Sequence, residues 1–283
     1  MKLRLLFGKL LLLFLATLFA ISCTPTISET EQLKKLFEKS NFVIEPFTAD
    51  SVFSANFEVQ FKQEIVPGMP DSGYFTQRIY VSHKGFDKPT VIITEGYTAN
   101  NYYYSELAKL LDANQIIVEH RYFGESVPAN KNWQHLNMKN AAADHHAIIE
   151  FFKQVYKGAW VSTGISKGGQ TTLYHKYLYP TDVQASVPYV APLNFSDKEP
   201  RVFEFLNQVA DEASRKKILA FQNALLDRRE ELMPKFMDNA KKNNYTFSIG
   251  ADMAFEYSVL EYPFAFWQWG YLNANNIPEP TAP

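Results

Sequence analysis

The chain of 283 residues is predicted to fold as an α/β protein, with a mostly parallel sheet covered by helices on both faces. Two observations carry this prediction. Short apolar, β-branched runs alternate with longer stretches of helical periodicity over residues 90–190. One strand-to-helix junction also places a serine between two glycines, which is typical of a sharp turn at the carboxyl end of a strand.

The first sheet elements are predicted to form an antiparallel hairpin. Residues 57–65 and 74–82 alternate polar and apolar side chains, and the segment 67–73 between them is rich in glycine and proline. Strands are then predicted at 90–94, 115–119, 159–163 and 185–190, and helices at 103–111, 140–156 and 168–177. Because ligands of such sheets bind beyond the carboxyl ends of the parallel strands, the site is expected there.

The residues after 194 differ in character. Leucine, phenylalanine and charged residues recur at helical spacing over 202–239, and 251–266 is apolar and aromatic. This part is predicted to be a helical lid over the active edge of the sheet. The expected organisation is a signal peptide at 1–22, a tether and N-terminal segment at 23–50, a sheet core at 51–194 and the lid at 195–283.

The N-terminus has the features of a secretory signal. Lys2, Arg4 and Lys9 precede an apolar run over 10–21, and the only cysteine of the chain, Cys23, follows it. The junction resembles the bacterial lipobox, although Ala20 stands where leucine is usual. A lipid anchor on Cys23 and a location in the bacterial cell envelope are therefore expected; a soluble periplasmic or secreted product and an uncleaved anchor helix remain open.

Composition limits the possible partners. The formal net charge of −2 shows no excess of positive charge for binding phosphates, so no nucleic-acid partner is expected. The adjacent pair His145 and His146 fits no zinc motif and is predicted to pack or lie at the surface. No metal and no cofactor are expected, and the oligomeric state is left open.

Ser166 is the candidate nucleophile. In the segment Gly164-Ile165-Ser166-Lys167-Gly168 the glycines make room for a strained turn that lifts the serine hydroxyl clear of the sheet. The backbone N–H of Lys167 is one candidate oxyanion donor, and the backbone of Gly96 or Tyr97, after the strand at 90–94, is the second. The alternatives are an inert serine in a tight turn and a plain turn glycine at Gly96.

Three segments together resemble one family: Val-Glu-His-Arg-Tyr-Phe-Gly-Glu-Ser at 118–126, Thr-Gly-Ile-Ser-Lys-Gly-Gly-Gln-Thr at 163–171, and Tyr-Val-Ala-Pro at 189–192. The chain resembles the secreted bacterial serine tripeptidyl aminopeptidases and, more distantly, prolyl carboxypeptidase and dipeptidyl peptidase II. The resemblance implies an α/β-hydrolase fold and peptide substrates. It also implies release of short peptides from free N-termini, often after proline, through an acyl-enzyme on Ser166.

An aminopeptidase must hold the ammonium group of its substrate. Glu95, Glu119 and Glu125 are candidates because they lie near the predicted active edge, although each could equally pair with Arg121 or face solvent. The aromatic residues over 264–271 are expected to line a pocket for a proline ring, or else to pack the lid helices.

A histidine base is missing from the expected place. In this fold the acid and the histidine follow the serine, yet only His175 does so, and it is predicted to face away, about two and a half helical turns on. His120, with Arg121, is interpreted as structural support. The resemblance places the acid and histidine on later strands, so the chain is expected to be the N-terminal part of a longer enzyme, with an incomplete sheet and little activity alone. The alternatives are a serine esterase or lipase, and a non-catalytic peptide-binding surface lipoprotein.

Overall fold

The computed structural model describes residues 27–99, 102–196, 198–269 and 274–281. The predicted signal peptide and Cys23 lie outside these described residues. The chain divides into two compact units between Leu193 and Asn194. Within the described ranges, no helix is both long enough and apolar enough to cross a membrane.

A seven-stranded mixed sheet forms the first unit, in the order β1-β2-β3-β5-β4-β6-β7. The first three strands are antiparallel to their neighbours, and β4, β5, β6 and β7 run parallel. The predicted hairpin and parallel strands are confirmed. The strands are β1 (Val43–Pro46), β2 (Ala55–Glu64), β3 (Tyr74–His83), β4 (Thr90–Thr94), β5 (Asn114–Val118), β6 (Trp160–Ile165) and β7 (Ala185–Tyr189).

Helices cover both faces of this sheet, as predicted. One face packs Ile92 and Ile116 against buried side chains of the first and third helices, whereas Val91 and Ile93 on the other face pack against the second. The predicted helix at 103–111 is shorter than expected, five residues long. The helices of this unit are α1 (Glu29–Lys39), α2 (Glu106–Leu110), α3 (Met138–Phe152) and α4 (Lys167–Leu178).

The segment before residue 51 contributes to the core, in contrast to the predicted tether. Helix α1 begins after Ser28, whose side chain accepts the Glu31 N–H, and it buries Leu33 and Phe37 completely. Strand β1 then pairs with β2 over its whole length. The prediction of a tether and N-terminal segment at 23–50, with the sheet core beginning at residue 51, therefore places the start of the folded unit too late.

The second unit is helical in its described residues, as predicted for the region after 194. Phe266 is buried with Ile218 and Ile277, and Trp267 packs edge-on against its ring. Phe264 and Trp269 are exposed, and Tyr271 lies outside the described residues. The helices are α5 (Pro200–Gln208), α6 (Glu212–Asp227), α7 (Arg229–Lys242) and α8 (Ala251–Gln268).

Candidate active site

Ser166 occupies a strained turn between β6 and α4. Its backbone has φ 55° and ψ −121°, a conformation that a residue with a side chain rarely adopts. The residue is exposed, and its N–H donates to the carbonyl of Tyr189 at 2.9 Å on β7. The hydroxyl caps no backbone group of the helix, so it is free to meet a ligand.

The two glycines of the turn have no room for a side chain. A Cβ on Gly164 would overlap the backbone of Gly168, and one on Gly168 would overlap the carbonyl of Thr94 on β4. The Thr94 hydroxyl also donates to the Gly168 carbonyl at 2.8 Å. The steric reason inferred from the sequence for both glycines is therefore visible in these contacts.

The predicted oxyanion donors lie side by side. A Cβ on Gly96 would come within 2.6 Å of the Cβ of Lys167 and 2.8 Å of the Gly168 nitrogen. This close approach is a reason for glycine at Gly96 other than a plain turn. The Lys167 N–H stands in the first turn of α4, where helices leave such groups unpaired, and within the described ranges neither Gly96 nor Tyr97 donates its N–H to another group.

The Lys167 side chain links this loop to the one after β5. Its Nζ lies 4.7 Å from the ring centroid of Tyr97 and 4.2 Å from that of Phe123, and the two rings meet edge to face. Partial burial lowers the pKa of the Lys167 ammonium. Cation–π contacts of this kind stabilise by about 0.5–2 kcal/mol each, which helps hold the candidate oxyanion loop against the turn.

Arg121 and His120 are buried structural residues in the segment after β5. Arg121 is fully buried and makes a two-pronged pair with Asp144 on α3, with Nε–Oδ2 at 2.6 Å and Nη2–Oδ1 at 2.8 Å. Its guanidinium also donates to the backbone carbonyls of Glu64, Ile65 and His135. The His120 Nδ1 lies 2.9 Å from the Arg121 carbonyl, and burial lowers the pKa of His120 to about 4.

Glu119 does not lie free at the active edge. Its side chain is fully buried, pairs with Arg78 at 2.5 Å, and accepts the N–H groups of Ala99, Glu125 and Ser126 and the Ser126 hydroxyl. With all its acceptor positions used, it cannot hold a substrate ammonium, and that prediction is wrong. The suggested pairing with Arg121 is wrong too, since Arg121 binds Asp144.

The other two carboxylates remain available. Glu95 follows β4 directly, is partly buried, and accepts the Tyr103 hydroxyl at 2.9 Å. Burial raises the pKa of Glu95. The side chain of Glu125 is exposed.

No histidine hydrogen-bonds Ser166. All six histidines lie among the described residues, and all make contacts elsewhere. Besides His120, these are His175 with Asp182, His146 with Asp182, His145 with the Ala141 carbonyl, His83 with Tyr156, and His135 with Asn132. His175, the one histidine that follows Ser166 in the sequence, bonds Asp182 in the turn after α4, and so faces away from Ser166 as predicted. The Ser166 hydroxyl therefore lacks a base in the described structure.

Comparison with known proteins agrees with this geometry. The profile of the PS-10 peptidase S37 family matches residues 31–281. The chain is 37% identical over 213 residues to the prolyl tri/tetrapeptidyl aminopeptidase of Streptomyces mobaraensis, covering 74% of this chain and 45% of that protein. It is 28% identical over 214 residues to human lysosomal Pro-X carboxypeptidase, covering 68% of this chain and 42% of that protein.

The chain thus spans less than half the length of these two curated relatives. Acetyl xylan esterase 1 from Thermoanaerobacterium superimposes with a TM-score of 0.42 at 10% identity, covering 66% of this chain and 70% of that one. The parallel strand order and the strained serine turn after β6 match the α/β-hydrolase fold expected from the sequence. With a family profile that spans nearly the whole described structure, the chain belongs to the PS-10 peptidase S37 family.

Proposed function

We propose that this protein is a serine exopeptidase that removes short peptides from free N-termini, often after proline, through an acyl-enzyme on Ser166. The observation that carries the proposal is the left-handed backbone of Ser166, which presents an exposed hydroxyl beside unpaired N–H groups. Membership of a peptidase family and the peptidase names of its relatives favour peptides over the esters that the same turn could also attack.

The chemistry at Ser166 follows from these neighbours. The serine oxygen attacks the scissile carbonyl, whose oxygen becomes negative and is met by the N–H groups of Lys167 and of Gly96 or Tyr97. The serine proton must leave to a base, and none of the six histidines is bonded to it. The 283-residue chain alone is thus expected to retain only the rate enhancement that substrate binding and the oxyanion donors supply, roughly 10³-fold over the reaction in water.

Glu95 is the best placed group to hold the substrate's N-terminal ammonium. It lies at the carboxyl end of β4 and immediately before Gly96, and the Tyr103 hydroxyl orients its carboxylate. Its raised pKa shows that burial disfavours the charged form. A bound ammonium would compensate that cost, whereas an acetylated N-terminus would not.

Binding tests this assignment without needing a base. The peptide Ala-Ala-Pro amide should bind the 283-residue chain about 10–100-fold more tightly with a free N-terminus than when N-acetylated, because a charge-assisted hydrogen bond contributes about 1.5–3 kcal/mol. Isothermal titration calorimetry gives both dissociation constants. Glu95→Gln should remove the difference, and Glu125→Gln, a matched change at an exposed carboxylate, should keep it. Equal affinities for the two wild-type ligands would contradict the exopeptidase proposal.

The preference for proline rests on the family resemblance and on the relatives' names. In the second unit Pro263, Trp267 and Leu206 line a cavity of about 270 Å³, which is large enough for a proline ring. Phe266 and Trp267, however, also pack the core of this unit, in line with the alternative foreseen for these rings.

We also propose that Cys23 is lipidated after signal cleavage and anchors the protein in the bacterial cell envelope. The basic residues, apolar run and single cysteine at the N-terminus support this. Metabolic labelling with a palmitate analogue should mark the wild type and spare Cys23→Ala. If the Cys23→Ala variant is unlabelled but still fractionates with membranes, an uncleaved N-terminal helix anchors the protein instead.

A further inference from the structure

Three side chains that could ligate a metal ion lie together away from the nucleophile turn. His146 and Glu150 are four residues apart on α3, which places them on one face of the helix. Asp182 joins them from the turn between α4 and β7. One potential ligand atom of each of the three residues lies within 4.8 Å of the other two.

Two of the three side chains are already held in place. His146 Nδ1 lies 2.8 Å from Asp182 Oδ2, and its ring stacks on Tyr179 at 4.2 Å with an interplanar angle of 10°. The Asp182 side chain is only 4% exposed, and His175 Nε2 binds the same oxygen at 3.0 Å. A histidine that orients a carboxylate from behind in this way is a usual outer partner of a metal ligand.

The third side chain is free to adjust, and solvent reaches the cluster. Glu150 is 55% exposed, and its ion pair with Lys153 at 3.2 Å is a weak surface contact. Beside His146 and Tyr179 opens a cleft of about 560 Å³, also lined by Lys62 and Glu64. Tetrahedral nitrogen and oxygen ligands of one zinc ion lie about 3.4 Å apart. A rotation of the exposed Glu150 side chain would shorten the present spacing, which is within 4.8 Å, to that value.

We propose that the His146 imidazole and the Glu150 and Asp182 carboxylates bind a divalent transition-metal ion such as Zn²⁺, with water completing the coordination. Nitrogen and carboxylate oxygen together suit this class of ion. On binding, the proton of His146 Nδ1 moves to the other ring nitrogen, and the freed lone pair replaces the hydrogen bond to Asp182. The ion would tie α3 to the turn that follows α4.

This proposal sets aside the sequence-based expectation of no metal. The pair His145 and His146 fits no motif because His145 turns away to the Ala141 carbonyl, while the partner of His146 lies 36 residues further along the chain. An ion here would stabilise a fold whose single cysteine leaves no disulfide to form within the chain.

Zinc binding to the metal-stripped 283-residue chain tests the site directly. Equilibrium dialysis with ZnCl₂ should show one ion per chain with micromolar affinity, and the midpoint of thermal unfolding should rise with zinc concentration. His146→Gln and Glu150→Gln should each weaken binding by at least about tenfold. His135→Gln, at a histidine outside the cluster, should leave binding unchanged.

Two results would overturn the proposal. One is that no zinc is bound at concentrations up to 100 μM, which is roughly one hundred times the expected dissociation constant. The other is binding that survives both cluster substitutions or falls equally in His135→Gln, which would show adventitious coordination. Because Glu150 is exposed, Glu150→Gln is expected to fold, and circular dichroism of each variant keeps a loss of binding distinct from a loss of structure.

Discussion

Asp144→Asn is expected to destabilise the first unit by about 3–5 kcal/mol, because it leaves the buried Arg121 guanidinium without its charge partner. Both side chains are essentially inaccessible to water, so solvent cannot compensate the loss. The three backbone carbonyls that accept hydrogen bonds from Arg121 would also lose a donor that is held in a fixed position. Urea unfolding followed by circular dichroism measures the effect as a shift of the midpoint.

The matched control for this change is Asp87→Asn. Asp87 is exposed in a turn of the same unit, and its substitution should alter the free energy of unfolding by less than about 0.5 kcal/mol. If Asp144→Asn shifts the urea midpoint no more than Asp87→Asn does, the buried pair of Arg121 and Asp144 does not stabilise this unit.

Between pH 7 and pH 5, two buried histidines of the same unit are expected to lose about 4 kcal/mol of the stability that their neutral rings contribute. Burial lowers the pKa of His145 to about 3 and that of His120 to about 4, from ordinary values of 6.5. His175, His120 and Arg121 lie near the His145 ring and repel its charged form further. The neutral rings therefore contribute stability that is complete above pH 6.5 and is lost as the pH falls towards the folded-state values. By pH 5 each ring has lost about 2 kcal/mol of this contribution.

Unfolding free energies measured at several pH values separate this effect from general acid sensitivity. His145→Gln, which cannot take up a proton, should reduce the loss between pH 7 and pH 5 by about 2 kcal/mol, whereas His135→Gln should not change it. A pH dependence identical in wild type and His145→Gln would mean that the buried imidazole is not the group that titrates.

The sheet and the nucleophile turn were predictable because their signals are local. Apolar β-branched runs such as Val91–Ile93 predict buried strands. The glycines on either side of Ser166 are required because a Cβ there would overlap backbone, and all the residues of this motif lie within five positions of the sequence. Helix α1 was missed although Leu33 and Phe37 stand four residues apart after a serine cap, because charged residues dominate the segment.

The roles of buried charges could not be predicted, because they depend on pairing across the fold. Glu119 follows the end of a strand, as Glu95 does, yet the neighbouring strand β3 places Arg78 against it. The register of β3 with β5 decides this contact, and it cannot be predicted from either segment alone. Asp182 likewise carries no signal of its own in the sequence. It meets His146 only because the turn after α4 packs beside α3.

The position of a fluorophosphonate adduct tests the central claim most directly. The protein purified from the cells that make it should react at one serine, which tandem mass spectrometry of its peptides should identify as Ser166. Ser166→Ala should abolish both the adduct and hydrolysis of free-N-terminal tripeptide substrates, whereas Ser196→Ala, at an exposed serine, should keep both. Peptide hydrolysis that persists in Ser166→Ala, or an adduct on a different residue, would contradict the assignment of Ser166 as the nucleophile.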